Sequence, residues 1–258
     1  MLFPISDDNS DRTIKPVVNY LLIIINILVF IFLQGMGGNI GFTYAFSTVP
    51  AEILTGNDVV TQSQIIVDQA TGHQFQIPGL GVTPIPVYLT TITSMFMHGG
   101  WMHLIGNMLY LWIFGDNIEN RLGHSRYLIF YLLCGVLASL SHVFATFFTA
   151  QNSLIPSLGA SGAISGVLGA YMLLFPQRKV NMLFLFRIHF AVPAWVALGF
   201  WIGFQIISGL GVLGGNEDGV AYAAHIGGFI AGILLIKFFD NKKRRDENRP
   251  FTFNSRRN

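Results

Sequence analysis

The chain has 258 residues and a formal net charge of +2, with 52% hydrophobic and only 11% charged residues. Globular soluble domains carry ~25% charged residues, so the composition excludes one, and with it disorder, a collagen-like chain and a disulfide scaffold; Cys134 is the only cysteine. So small a net charge gives no reason to expect a nucleic-acid partner.

A helix needs about 20 apolar residues to cross a bilayer. Six segments qualify in outline: about Val17–Gln34, Thr93–Gly115, Tyr127–Phe148, Leu158–Phe175, Phe190–Leu210 and Gly219–Phe239. The first follows Arg12 and Lys15 but is long and has no small-x-small cleavage site, so it reads as a retained span. The expected fold is therefore an all-α membrane protein, a bundle of six transmembrane helices. Residues 1–16 form a short N-terminal segment, 17–239 the core with a long outer loop at about 35–92, and 240–258 a basic tail. Within that loop Gly56–His73 reads as a polar insertion.

Charge sets the expected orientation. With both termini in the cytoplasm, all 15 Lys and Arg fall on that side: Arg12, Lys15, Arg121, Arg126, Arg178, Lys179, Arg187, Lys237 and the tail. The outer loops hold Glu52, Asp58, Asp68, Glu217 and Asp218 and no basic residue. That is the positive-inside pattern, and it supports an even number of spans. The basic tail reads as a cytoplasmic flank that can also touch anionic lipid.

Polar side chains within spans are functional candidates. His98, His103, His142 and His225 lie in the predicted spans, while no Lys, Asp or Glu lies deep in any of them. This argues against a carboxylate proton relay, a Ser-Lys dyad and a paired-aspartate protease. The zinc motif H-E-x-x-H is absent as well. Hydroxyl and imidazole remain.

Ser161 sits in Gly159-Ala160-Ser161-Gly162 near the outer start of the fourth span. Small neighbours let a carbonyl approach it, and a helix start leaves backbone N–H groups unspent. His225, in Ala224-His225-Ile226-Gly227-Gly228, enters the sixth span from the same side, roughly 9 Å deep. Gly162 and Gly166 on one span and Gly228 and Gly232 on the other suit close helix packing. The pair is therefore a candidate nucleophile and general base. On the second span His103 and Asn107 share a helix face and are candidate oxyanion donors, with His98 five residues earlier. Each motif has a plain reading too, as helix packing or an interhelical hydrogen-bond network.

Together, His98-x4-His103-x3-Asn107, Gly159-Ala160-Ser161-Gly162 and Ala224-His225-Ile226-Gly227-Gly228 through Gly232 resemble the rhomboid family of intramembrane serine proteases, in order and in span. The resemblance implies Ser161 as nucleophile, His225 as base, His103 and Asn107 with the Ser161 N–H as oxyanion hole, and His98 as support. It implies no cofactor or metal. Substrates would be single-span membrane proteins with a locally unwound helix and a small residue at the cut. The minimal form suggests a multi-pass protein of a bacterial plasma membrane. Two departures stand out: Ser165 occupies a place where some members carry a Tyr or Phe against the histidine, and the first outer loop has no Trp-Arg pair. The competing readings are a catalytically silent rhomboid-like protein that binds transmembrane helices, and a small transporter or channel.

Overall fold

The structure, a computed structural model, describes residues 2–67, 74–149, 152–185, 187–210 and 221–240. The end of the polar insertion (68–73), the outer loop 211–220 with Glu217 and Asp218, and the tail from 241 lie outside the described residues.

Among the described residues six helices reach 12 residues or more. They are α1 (Val17–Leu28, continued as a π-helical turn Val29–Leu33), α5 (Trp101–Leu122), α6 (His124–Thr149), α7 (Ser161–Leu174), α8 (Ala194–Gly209) and α9 (Tyr222–Phe239). Short helices α2 (Ile40–Ala45), α3 (Pro50–Thr55) and α4 (Thr90–Thr93) lie in the long loop between α1 and α5. Two helices, α6 and α9, are long and apolar enough to cross a membrane; α7 and α8 are apolar but shorter. The last two turns of α5 carry Asp116, Glu119 and Arg121, which lowers its hydropathy.

The fold is not wholly helical. The strand β1 (Leu2–Asp7) pairs antiparallel with β4 (Lys179–Phe184), which pairs with β5 (Ile188–Pro193). A separate hairpin, β2 (Gln64–Val67) with β3 (Gln74–Ile77), forms in the insertion. The second predicted span is also displaced. Helix α5 starts at Trp101, because Gly99 and Gly100 interrupt the helix and Gly100 is extended (φ 163°, ψ 175°). His98 consequently lies in the turn before α5 and not on it.

The molecule is apolar outside and tightly packed within. Phe32, Met102, Phe148, Phe200 and Phe238 are each exposed, as lipid-facing side chains are. Helix α7 is the central element: every residue from Gly162 to Tyr171 is buried. Its seam with α9 is backbone on backbone. A Cβ on Gly232 would stand 1.9 Å from the carbonyl oxygen of Gly166, and one on Gly228 would stand 2.2 Å from that of Gly162. On the other flank, Cβ atoms on Gly162 and Gly166 would meet Ala138 and Cys134 of α6 at 2.7 and 2.4 Å.

The opposite end of the helices from Ser161 is polar and charged. The Glu119 carboxylate accepts the backbone N–H groups of Val18 and Asn19 at 3.0 and 2.7 Å, capping the positive end of α1. Arg12 pairs with Asp116 at 2.7 Å, and Arg121 binds Asp240 through two nitrogens at 2.6 and 2.9 Å, tying the end of α5 to the end of α9. Arg178 bonds Asn117 and Asp11. Asp7, at the end of β1, accepts from Asn117 Nδ2 at 2.8 Å and from the Tyr171 hydroxyl at 2.5 Å. Burial pushes the Asp7 carboxyl up to about 7, with Asp116 adding repulsion and the Tyr171 hydrogen bond and Arg178 opposing the rise.

Two predictions follow from packing and charge. Gly232→Ala should destabilise the protein by ~1–3 kcal/mol through overpacking, a loss of roughly 2–10 °C in thermal melting in detergent. Gly199→Ala on α8, where a Cβ meets nothing within 4 Å, should not lower the melting temperature. For Asp7 the folded value exceeds the unfolded one of ~3.9, so its contribution is complete below pH ~4 and is lost as pH rises through about 7. Melting measured from pH 5 to 8 should decline in the wild type and be flatter in Asp7→Asn.

Candidate active site

Ser161 is the first residue of α7, and His225 is the fourth of α9. The glycine seam begins one residue after the serine and three after the histidine, so it brings the two side chains together. Ser161 Oγ lies 2.8 Å from His225 Nε2. The second ring nitrogen, Nδ1, lies 2.7 Å from Gln205 Oε1 on α8. A carbonyl oxygen only accepts, so Nδ1 carries the proton and donates it to Gln205. Nε2 is then the acceptor for the serine hydroxyl. Trp201, one turn before Gln205, places its ring 5.9 Å from the imidazole at 38°. The Ser165 hydroxyl donates back to the Ser161 carbonyl at 2.6 Å.

Three donors on α5 and α7 are unspent. As the first residue of α7, Ser161 has a backbone N–H with no acceptor inside the helix. His103 Nδ1 accepts the Gly99 N–H at 3.3 Å, which leaves the proton on Nε2. That Nε2 closes over Gly159, where a Cβ would stand 2.7 Å from it. Gly159 is also left-handed (φ +121°), so both its backbone and its lack of a side chain are required. Asn107 is buried, and its Nδ2 has no hydrogen-bond partner among the described residues. Buried donors without partners are unusual.

His98 is fully buried with its ring edge-on to His103, centroids 5.2 Å apart at 69°. Its backbone is clamped by Gln34 at the end of α1: the His98 N–H donates to Gln34 Oε1, and Gln34 Nε2 donates to the His98 carbonyl, both at 2.9 Å. The chain entering α7 is braced as well. Thr48 and Ser157 exchange backbone hydrogen bonds at 3.0 and 2.7 Å, and the Gly159 N–H donates to the Ser94 carbonyl at 2.9 Å. Beside Ser161 is a cavity of about 20 Å³ walled by Gly135, Ala138, Gly159, Gly162 and Ala163. Among the described residues no cluster of three His, Cys, Asp or Glu side chains could hold a metal ion.

Gln34, Trp201 and Gln205 escape the motif reading. The available signal was that Gln205 is the one amide in the apolar run of α8, and polar groups in such runs are candidates by default.

The chain is similar to known proteins. The family profile "Rhomboid domain" matches residues 87–241. Rhomboid protein 1, mitochondrial, of Saccharomyces cerevisiae is 37% identical over 148 residues, 57% of this chain and 40% of its own length. Presenilin-associated rhomboid-like protein A, mitochondrial, of Danio rerio is 37% identical over 155 residues, 58% of this chain and 37% of its own. Rhomboid protease GluP of Bacillus subtilis is 28% identical over 214 residues, 83% of this chain and 35% of its own. The chain thus spans two fifths or less of the length of these relatives. Two of them are mitochondrial, so the expectation of a bacterial plasma membrane gains no support.

Proposed function

The chain belongs to the rhomboid family, whose members are integral to membranes, and from that premise we propose that it is an intramembrane serine endopeptidase working through Ser161 and His225. The observation that carries this reading is the 2.8 Å contact between Ser161 Oγ and His225 Nε2. It also favours an enzyme over a silent helix-binding relative, which has no use for an activated hydroxyl.

In this reading the six long helices span the bilayer, with the basic residues and both described chain ends on the cytoplasmic side. Helix α7, 14 residues long, measures ~21 Å, short of the ~30 Å hydrocarbon layer. Its reactive start is therefore recessed from the outer surface. Irregular backbone survives at such depth only where protein covers it or water reaches it. The braced segment before Ser161 supplies the cover, and the small cavity beside the serine has room for a water molecule.

The reaction follows from the hydrogen bonds. Ser161 Oγ attacks the substrate carbonyl while its proton passes to His225 Nε2. The oxygen of the tetrahedral intermediate is held by the Ser161 N–H, His103 Nε2 and Asn107 Nδ2. His225 then gives its proton to the leaving amine, and water enters along the reverse path to free the acyl group. The small cavity beside the serine admits a small side chain at the cut. The substrates are single-span membrane proteins whose helix unwinds locally, because a helical carbonyl is already hydrogen-bonded within its own segment.

Purified protein in detergent micelles, given a single-span substrate with small residues near its outer end, should yield product in the wild type. Ser161→Ala and His225→Ala should yield none while melting like the wild type. Asn107→Ala should be slower by ~10²–10³-fold. Undiminished cleavage by Ser161→Ala would end the proposal.

A further inference from the structure

Two groups on α8 surround the imidazole of His225, and neither belongs to a motif that carries the proposed reaction. Gln205 Oε1 accepts the Nδ1 proton at 2.7 Å, and Trp201 one turn away walls the ring. We propose that Gln205 is the positioning residue of the Ser161–His225 pair: its side-chain carbonyl fixes the tautomer and the rotation of the imidazole, the place an acidic residue holds in a triad. The inference rests on the endopeptidase reading.

The geometry shows why a bond is needed here. A free imidazole interchanges tautomers, and only the one with Nε2 unprotonated can accept from Ser161. An acceptor facing Nδ1 selects that tautomer. The acceptor's neutrality follows from its burial. Gln205 is 7% exposed, and a carboxylate there would carry a desolvated charge with no cation on α8 to pair with. An amide supplies the acceptor without that penalty. With Ser165 turned to the Ser161 carbonyl, α7 leaves the face of the ring to Trp201.

Three variants separate positioning from packing. Gln205→Met keeps an unbranched chain of similar length and removes the acceptor. Gln205→Glu restores an acceptor as an anion. Trp201→Leu removes the wall alone. The readouts are kcat and KM on the single-span substrate, and the rate of Ser161 labelling by a fluorophosphonate probe across pH 5–9. In that labelling Ser161 Oγ bonds phosphorus, fluoride leaves, and the hydroxyl proton passes to His225. The other titratable groups facing His225, His103 of α5 and His142 of α6, are kept throughout, so differences report position 205.

Gln205→Met should lower kcat and labelling roughly 10- to 100-fold with KM unchanged, part of the ~10²–10⁴ that a positioned base supplies. In Gln205→Glu the anion favours the imidazolium, so activity should persist but its acid limb should move to higher pH. A residue that only packs α8 on α9 predicts no such move. Wild-type rate and pH profile in Gln205→Met, from protein of unchanged melting temperature, would overturn the inference and leave the protease reading standing. An unmoved acid limb in an active Gln205→Glu would overturn it too. Absence of Ser161-dependent labelling in the wild type would overturn both.

Discussion

The contact between α7 and α9 governs the rest of the molecule. Inside a bilayer apolar side chains gain nothing by leaving lipid, so helices associate through close packing and polar bonds. Here the closeness comes from glycine. Gly228 and Gly232 rest on the carbonyl oxygens of Gly162 and Gly166, where any Cβ would stand about 2 Å away. Carbon and oxygen pack at roughly 3.5 Å, so one methyl on this seam forces the helices apart by more than an ångström. The Ser161–His225 hydrogen bond is 2.8 Å long and sits at the end of the same seam. It has no slack to absorb such a shift. The glycines are thus part of the site's geometry, although none of them touches a reacting atom.

The two ends of the helices solve opposite problems. At the charged end, Glu119, Arg121, Asp240, Arg12 and Asp116 anchor helix termini to one another. At the other end the backbone departs from helix where Gly99, Gly100 and Gly159 lie, and the departures are held by hydrogen bonds from Gln34, Ser94 and Thr48. The first end fixes where the helices stand. The second leaves donors unspent around Ser161, which a fully satisfied helix bundle could not do.

Local pattern and long-range pairing explain what could be read from the sequence. Ser161, His225, His103 and Asn107 stand in short motifs of recognisable spacing, and the small residues near them advertise the helix seam. Strand β1 does not advertise itself: Leu2–Asp7 includes Pro4, and its partner β4 begins at Lys179. Such a pairing leaves no trace in a local window. Helix α5 begins at Trp101 and not near Thr93, because Gly99-Gly100 interrupts the helix, and a hydropathy window does not register such a break. Gln205 was missed for a different reason. It stands in Ala194–Gly209, an apolar run with no motif around it, and its partner is 20 residues away on another helix.

The surroundings of His225 come from a different helix than the local motif suggests. The resemblance to the family led one to look for an aromatic four residues after the serine, where this chain has Ser165. The ring wall comes instead from Trp201 on α8, and the same helix, one turn on, supplies the acceptor for Nδ1. Serine at 165 is compatible with this because its hydroxyl is satisfied by the Ser161 carbonyl and leaves the space beside the imidazole to the indole. The consequence is a division of labour among three helices. Helices α7 and α9 set the distance between Ser161 and His225 through a seam that cannot stretch. Helix α8, which has no glycine in that seam, holds the orientation of the His225 imidazole through Gln205. Distance and orientation are therefore held by different interfaces, and a change in the packing of α8 alters the second while leaving the first intact.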